Sequence, residues 1–323
     1  MTGPVFVVGM NGSGSTMLAD SLGRHPDLYV FDNESWVLPW FIQNAERYGD
    51  LKHDFAARRR LADSLGRARA FWQCNGKTPV RVPDGALHEP GFAAVASSVY
   101  LHFAAKSGKT RWGDKSPMYL QHVGLLARTF PDAQFVHIYR DGRDAAQSFH
   151  RRWGYHPLRT VYRWKKIVGT GQEQGAQLGP ERYLEVSYEK LTSDPEPWMR
   201  TICAFLGLDF DARVLESSMR FVDSAKNGAG CMVANSGKWA GYFTAAQVAA
   251  MEKIAGAKLT ELGYACRNSE GDTDPPALQR GMWLLRDRVM RTVWNFRQYG
   301  LRSVPIFTRA ALDSLRQSRT NRF

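Results

Sequence analysis

An α/β fold built on a parallel sheet, with helices on both faces, is what this sequence predicts. Three observations carry the prediction. Short apolar runs of strand length alternate with longer stretches of helical periodicity. The first run opens directly into a glycine-rich turn, and another ends in a cluster of charged residues, the arrangement expected where strands deliver their carboxyl ends to a ligand. No internal repeat or low-complexity tract points to another architecture.

The elements follow in chain order. Residues 5–9 read as a buried strand, 16–25 as a helix closed by His25-Pro26, and Leu28–Phe31 as a second strand. From 37 to 106 the pattern is mainly helical, interrupted by a turn-rich stretch at 75–83. Residues 120–130 form a helix stopped by Pro131-Asp132, and Gln134–Tyr139 form a strand. Helices at 143–152 and from Leu158 come next, then a strand at 183–186 and helices at Pro195–Leu206 and 245–262. The one break in composition, 268–276, reads as a linker. The expected organisation is therefore a main domain over 1–267 with a helical insertion at about 37–110 lying over the cleft, a linker at 268–276, and a basic helical C-terminal extension over 277–323.

Bulk properties narrow the function classes. With 44% apolar and 12% aromatic residues the chain can bury a sizeable core. It has no apolar run of membrane-spanning length, and its first apolar run leads into a turn with no basic leader before it. Cys74, Cys203, Cys231 and Cys266 stand far apart with no C-x-x-C pairing, which reads as reduced thiols of a cytoplasmic protein and as no metal site. The net charge of +12 is uneven: residues 280–323 hold ten Arg and two Asp, a balance of +8. The basicity thus belongs mostly to the tail, and no nucleic-acid groove is expected in the main domain.

Gly9-Met10-Asn11-Gly12-Ser13-Gly14-Ser15-Thr16 stands between a predicted strand and a predicted helix. Glycines let successive backbone N–H groups wrap an anion, the helix adds its positive end, and Ser13, Ser15 and Thr16 add hydroxyl donors. The spacing is that of a Walker turn, which makes the sheet P-loop-like, but Ser15 occupies the lysine position. The alternative is an ordinary glycine-rich turn. The same residues fail as a nucleophile elbow, since Thr16 replaces its final glycine.

A second anion site is read at Arg140-Asp141-Gly142-Arg143-Asp144, directly after a strand. Ser148 and Arg152 are four apart on the next helix and share a face, so Arg140, Ser148 and Arg152 together suit a phosphate. A surface salt-bridge cluster is the alternative. A kinase would place a metal-binding carboxylate where Arg140 stands. Two anion sites on one sheet fit a donor with a 5′ diphosphate-like group and a separate 3′-phosphate, whereas ATP needs only one.

Together these segments resemble the PAPS-dependent sulfotransferases. Residues 11–18 look like that family's 5′-phosphosulfate loop, a basic residue followed by S-G-T-T-x-L, and Arg140 with Ser148 look like its 3′-phosphate pair. Tyr188-Glu189-Lys190-Leu191 resembles its Y-E-D-L segment, whose tyrosine contacts the nucleotide. Ser236-Gly237-Lys238-Trp239 resembles the late loop that closes over the cofactor. Within the family the tyrosylprotein sulfotransferases are the nearest likeness. Asn33-Glu34-Ser35-Trp36-Val37-Leu38-Pro39 is similar to their E-T-R-V-I-P, which implies Glu34 as catalytic base. Asp114-Lys115-Ser116-Pro117 is similar to their N-K-D-P, which implies Lys115 as the residue assisting transfer, and Arg152 matches an arginine placed at the nucleotide. Two positions depart from the pattern: Gly12 replaces the basic residue that opens the loop, and Gly237 replaces a serine. Lys115 or Arg24 is the residue expected to restore the charge, and Ser236 the hydroxyl.

The resemblance implies PAPS as donor, PAP as product, no metal, and in-line transfer to a hydroxyl. The alternatives are a P-loop kinase and a non-catalytic nucleotide-binding protein. Trp36, Trp40, Phe41, Phe71 and Trp72 would shape a site for a phenol, a tyrosine, a sugar or a lipid. In the tail, Met282, Leu285, Val289, Val293 and Phe296 follow helical spacing among arginines. Docking of that stripe on its own domain or on a second copy in a homodimer is the favoured expectation, with peripheral contact on an anionic membrane as the other.

Overall fold

The computed structural model describes residues 3–31, 33–216 and 235–299. They belong to two compact units: Met1–Asp141 with Trp164–Gly237, and Gly142–Arg163 with Lys238–Phe323.

The first unit holds a five-stranded parallel sheet: β1 (Val5–Val8), β2 (Leu28–Phe31), β3 (Arg111–Lys115), β4 (Gln134–Tyr139) and β5 (Tyr183–Ser187), in the order β2-β3-β1-β4-β5. Over both units the α-helices among the described residues are α1 (Ser15–Leu22), α2 (Leu38–Gln43), α3 (Phe55–Gly66), α4 (Arg69–Cys74), α5 (Phe92–Lys106), α6 (Val123–Thr129), α7 (Gly142–Trp153), α8 (Pro157–Ala176), α9 (Tyr188–Ser193), α10 (Pro195–Leu206), α11 (Ala245–Glu261) and α12 (Ala277–Tyr299), of which α7, α11 and α12 belong to the second unit.

Strand side chains alternate between faces, and here the two faces differ in chemistry. Val5, Val7, Val136, Ile138 and Val186 form an aliphatic face that packs on α1, α9 and α10 through Leu18, Leu191 and Ile202. Phe6, Phe31, Trp112 and Phe135 form an aromatic face. Phe6 stacks on Phe135 at 5.2 Å, and Tyr100 of α5 stacks on Trp112 at 4.2 Å. Phe71, read from sequence as acceptor-shaping, is buried against Phe31 and Tyr100, so it holds the insertion onto the sheet.

The sequence reading assigns no element to 111–115, yet β3 lies between β2 and β1 with all five residues buried. Arg-Trp-Gly-Asp-Lys lacks the apolar pattern of a central strand because its charges are satisfied by distant partners. Arg111 donates to Gly3 O at 2.8 Å, Leu206 O at 2.6 Å and Gln134 Oε1 at 2.7 Å. Burial lowers the Arg111 pKa to about 10. Smaller differences concern helix ends. α1 stops at Leu22, with Gly23 donating back to Ala19 O, and the stretch read as a helix from Leu120 begins as a 3₁₀ turn at Pro117–His122.

The second unit is held by buried charge pairs. Arg143 reaches Glu252 of α11 at 2.8 Å, and the other Glu252 oxygen accepts from Arg267 N at 3.0 Å and Asn268 N at 3.2 Å. Residues 268–276 contain no helix or strand but are tied to α11, with Ala257 N donating to Gly271 O and Thr273 N to Lys253 O, each at 3.0 Å. A Cβ on Gly256 would collide with the Asn268 carbonyl, so only glycine lets the segments approach this closely. α12 is anchored by Asp287, which accepts from Arg159 at 2.7 Å and from His156 N at 2.7 Å, and by Trp283, stacked on His156 at 4.7 Å.

Candidate active site

The first unit brings several of the expected residues to the carboxyl ends of its strands. The turn after β1 carries Asn11, Gly12, Ser13, Gly14, Ser15 and Thr16 into α1. Gly12 and Gly14 take φ of 87° and 96°, which favour glycine. Gly9 has no room for a side chain, since a Cβ would lie 2.4 Å from Ile138 O and 2.7 Å from Ser13 Oγ. No side chain caps α1, and its first turn holds no acidic residue. Ser13 Oγ is buried with no hydrogen-bond partner among the described residues. A buried hydroxyl without a partner costs free energy, so this one fits an incoming anion at the helix N-terminus.

Beside this turn, β3 pairs with β1 in the register Val7↔Lys115, and Gly9 N donates to Pro117 O at 3.4 Å. Lys115 is therefore set alongside the turn. Its Nζ lies 3.1 Å from Oε1 of Glu34, with side-chain exposures of 3% for Lys115 and 29% for Glu34. The second carboxylate oxygen of Glu34 accepts from Trp36 Nε1 at 3.1 Å. Both Glu34 and Trp36 adopt positive φ, 41° and 58°. Such conformations cost roughly 1–3 kcal/mol each in non-glycine residues and persist only where surrounding contacts impose them.

Those contacts form a buried polar network. Asp114, on the aromatic face of β3, accepts from Ser35 Oγ, from Tyr100 OH at 2.5 Å and from Ser116 Oγ at 2.9 Å. Tyr119 OH lies 2.8 Å from Ser35 Oγ and accepts from Leu38 N at 3.1 Å. The segment between β2 and α2 is thus fastened on each side of Trp36, at Ser35 to β3 and at Leu38 to the 3₁₀ turn that follows β3. Burial raises the Asp114 carboxyl pKa against the lowering effect of its hydrogen bonds, and burial beside Asp114 raises the Tyr100 and Tyr119 phenols well above their ordinary value.

Arg140, at the end of β4, closes the other side. Its Nη1 donates to Gly12 O at 3.4 Å, its Nη2 donates to Asn235 O, and its guanidinium lies 4.6 Å from the ring centroid of Tyr188. The Tyr188 ring in turn packs on the turn, where a Cβ on Gly14 would come within 2.5 Å of it. Glu189 accepts from Asp141 N at 3.1 Å and from Ser187 Oγ at 3.1 Å, fixing the start of α9 against the end of β4. Ser236 and Gly237 belong to the same unit and are exposed, Gly237 with a φ of 73°.

The remaining expected residues belong to the second unit. Ser148 is half-buried on α7, and Arg152, exposed one turn later, lies over Trp153 at 5.1 Å. Lys238 opens a short 3₁₀ turn, and Trp239 N donates to Asp144 Oδ1 at 3.1 Å under the Arg143 guanidinium, 3.9 Å from its ring. Arg140, Asp141, Arg143 and Asp144 are all buried, so the alternative of a surface salt-bridge cluster does not hold. Arg24 follows the carboxyl end of α1, about 12 Å of helix from the turn, and pairs with Glu216 at 3.3 Å and Asp20 at 3.8 Å. It lies too far from Gly12 to replace the charge missing there, whereas Lys115 sits alongside the turn.

Sequence reasoning gave no role to Ser35, Tyr100, Asp114, Ser116 or Tyr119. The quoted motifs contained three of them, but nothing local marks a tyrosine on α5 as the partner of an aspartate on β3. Trp36 was read only as an aromatic wall. Among the described residues no group of His, Cys, Asp and Glu could hold a metal ion.

The sulfotransferase family matches residues 4–212. The protein-tyrosine sulfotransferase of Drosophila melanogaster is 25% identical over 220 residues, covering 65% of this chain and 39% of that protein. Protein-tyrosine sulfotransferase 1 of Danio rerio is 25% identical over 222 residues, covering 65% of this chain and 55% of that one. The chain thus spans about half, or less, of the length of these relatives. A solved sulfotransferase domain from the curacin biosynthetic pathway shares the fold with a TM-score of 0.50 at 18% identity, covering 82% of this chain and 99% of that one.

Proposed function

Because the chain belongs to the sulfotransferase family, we propose that it transfers a sulfuryl group from PAPS to the hydroxyl of an acceptor. The observation that carries the proposal is the Glu34–Lys115 pair, set by the β1–β3 register beside a helix N-terminal anion turn. PAPS supplies an activated sulfuryl group on a phosphate that leaves as part of PAP. The backbone of 12–16 with Ser13, Ser15 and Thr16 would hold the 5′-phosphosulfate end, and Arg140 the 3′-phosphate, with Tyr188 against the nucleotide. Ser148, Arg152, Ser236, Gly237, Lys238 and Trp239 enter the proposal on sequence likeness.

The chemistry asked of the protein is positioning and charge stabilisation. As the acceptor oxygen bonds to sulfur and the bond from sulfur to the bridging oxygen breaks, the hydroxyl proton passes to Glu34. Lys115 neutralises the charge that grows on the departing oxygen. Trp36 and Trp40, two and six residues after Glu34 and both substantially exposed, offer flat surfaces suited to a phenol, a tyrosine, a sugar ring or a lipid ring. A kinase reading lacks the Walker lysine and places Arg140 where a metal-binding carboxylate belongs. The experiment is transfer from radiolabelled PAPS across a panel of phenols, tyrosine peptides, sugars and sterols. Label appearing on a hydroxyl supports the proposal. Nucleotide binding with no transfer to any acceptor, or transfer from labelled ATP instead, overturns it.

A further inference from the structure

α12 exposes the side of itself that its sequence would lead one to bury. Leu278, Met282, Leu285, Val289, Val293 and Phe296 recur every three or four residues and are 79%, 63%, 64%, 54%, 37% and 52% exposed. The helix is fastened to its own unit through the opposite side, by Trp283, Asp287 and Asn295, all buried. The apolar stripe is therefore not the docking face toward the rest of the second unit. It runs along about 30 Å of helix, and a contiguous apolar strip of that length marks an interaction face.

The charge around the stripe selects the partner. At 100° per residue, Arg286 and Arg297 flank it on one side and Arg288 on the other, and all three are exposed. The one acidic residue of the helix, Asp287, is turned inward and held by Arg159 at 2.7 Å. Residues 300–323 add five Arg against one Asp in sequence. A second copy of this helix laid face to face would set arginine rims against each other with no carboxylate between them. An anionic lipid surface matches both features: the aliphatic stripe enters the acyl boundary while the guanidinium groups meet headgroup phosphates. No helix among the described residues is long and apolar enough to cross a membrane, so the fit is to the surface plane.

We propose that the outer face of α12 docks the protein on anionic membranes, lying in the interface with its arginine rims on the headgroups. The test is co-sedimentation of the full chain with vesicles of phosphatidylcholine alone or with about one third phosphatidylserine. The proposal requires binding to the anionic vesicles, weakening as salt rises. Arg288→Gln with Arg297→Gln should lower that binding roughly thirtyfold, the two removed basic charges being worth about one kcal/mol each at such a surface. Leu285→Ser with Val289→Ser should abolish binding while leaving PAP affinity and the thermal midpoint unchanged, because neither side chain packs in the unit. Equal binding to neutral vesicles, no binding to either, or full binding by the serine variant overturns the proposal. So does a concentration-dependent dimer that the serine variant dissolves, since the stripe would then serve self-association.

Discussion

The Lys115 ammonium lies 3.1 Å from one carboxylate oxygen of Glu34, while Trp36 Nε1 lies 3.1 Å from the other. Two donors on different segments thus grip one carboxylate from both sides. Glu34 keeps about a third of its side chain exposed, which the proposed base needs in order to meet an incoming hydroxyl, whereas Lys115 is buried. The positive φ of Glu34 and of Trp36 shows that the surrounding contacts, not the local chain, dictate this aim.

Replacing Glu34 by Gln should therefore lower turnover by about 10²–10⁴, the usual contribution of a general base, while PAP affinity stays near wild type. Turnover within a few fold of wild type would remove Glu34 from the base role.

Lys115→Met keeps the buried stem and removes the charge. The expected result is a fall in kcat of about two orders of magnitude, as for loss of one donor to developing negative charge. The stability cost should be about 1 kcal/mol or less, since Glu34 is partly solvated. Steady-state kinetics against a urea melt separate the two effects.

Asp114→Ala should be far more damaging to the fold. It strands the hydroxyls of Ser35, Tyr100 and Ser116 in a buried site, at a cost of roughly 3–5 kcal/mol. Ser35→Ala removes one bridge between the Glu34 segment and β3 and should cost about 1–2 kcal/mol. Chemical denaturation gives both numbers, and a smaller effect for Asp114→Ala than for Ser35→Ala would contradict the network.

Gly14→Ala tests the turn. A left-handed alanine costs about 1–2 kcal/mol, and its Cβ would meet the Tyr188 ring at 2.5 Å. PAP binding should weaken at least tenfold by roughly this strain. Adding Tyr188→Ala relieves the collision but not the strain, so affinity should remain below wild type.

Burial lowers the pKa of His102, His122, His150 and His156, with Lys106 adding for the first and Arg286 for the last two. Because these values are depressed in the folded state, the stability they carry is full above their ordinary value of 6.5 and is lost as pH falls through the folded values. The buried Asp114, whose value is raised, acts in the opposite sense above 3.8. The difference between wild type and His156→Gln isolates one histidine: their thermal midpoints should converge as the buffer goes from pH 8 to pH 5. A pH-independent difference would show that His156 contributes only its stacking on Trp283.

The local chemistry of β1, its turn and the start of α1 was readable because apolar strand, glycines and hydroxyls sit next to one another in sequence. β3 was not, because three of its five residues are charged and their partners come from β4, α5, α10 and the 34–35 segment. The approach of Glu34 to Lys115, 81 residues apart, has no local signature either. Family likeness suggested a shared role, and only the pairing of β2 and β1 with β3 brings the two together. For α12 the periodicity was legible but its orientation was not. The apolar stripe looked like a docking face, whereas Trp283, Asp287 and Asn295 do the docking, because a buried Asp–Arg pair and a stacked indole anchor that side.

The central claim is that Arg140 and the Ser13 turn, joined through Gly12 O and the Tyr188 ring, hold an adenosine 3′,5′-bisphosphate. Titration calorimetry with PAP, without divalent metal, tests it most directly. The account predicts saturable PAP binding that Arg140→Ala weakens at least tenfold, roughly the value of one charge-assisted contact, with ATP and Mg²⁺ binding far less tightly. Tighter binding of ATP with Mg²⁺, or PAP binding indifferent to Arg140, would contradict it.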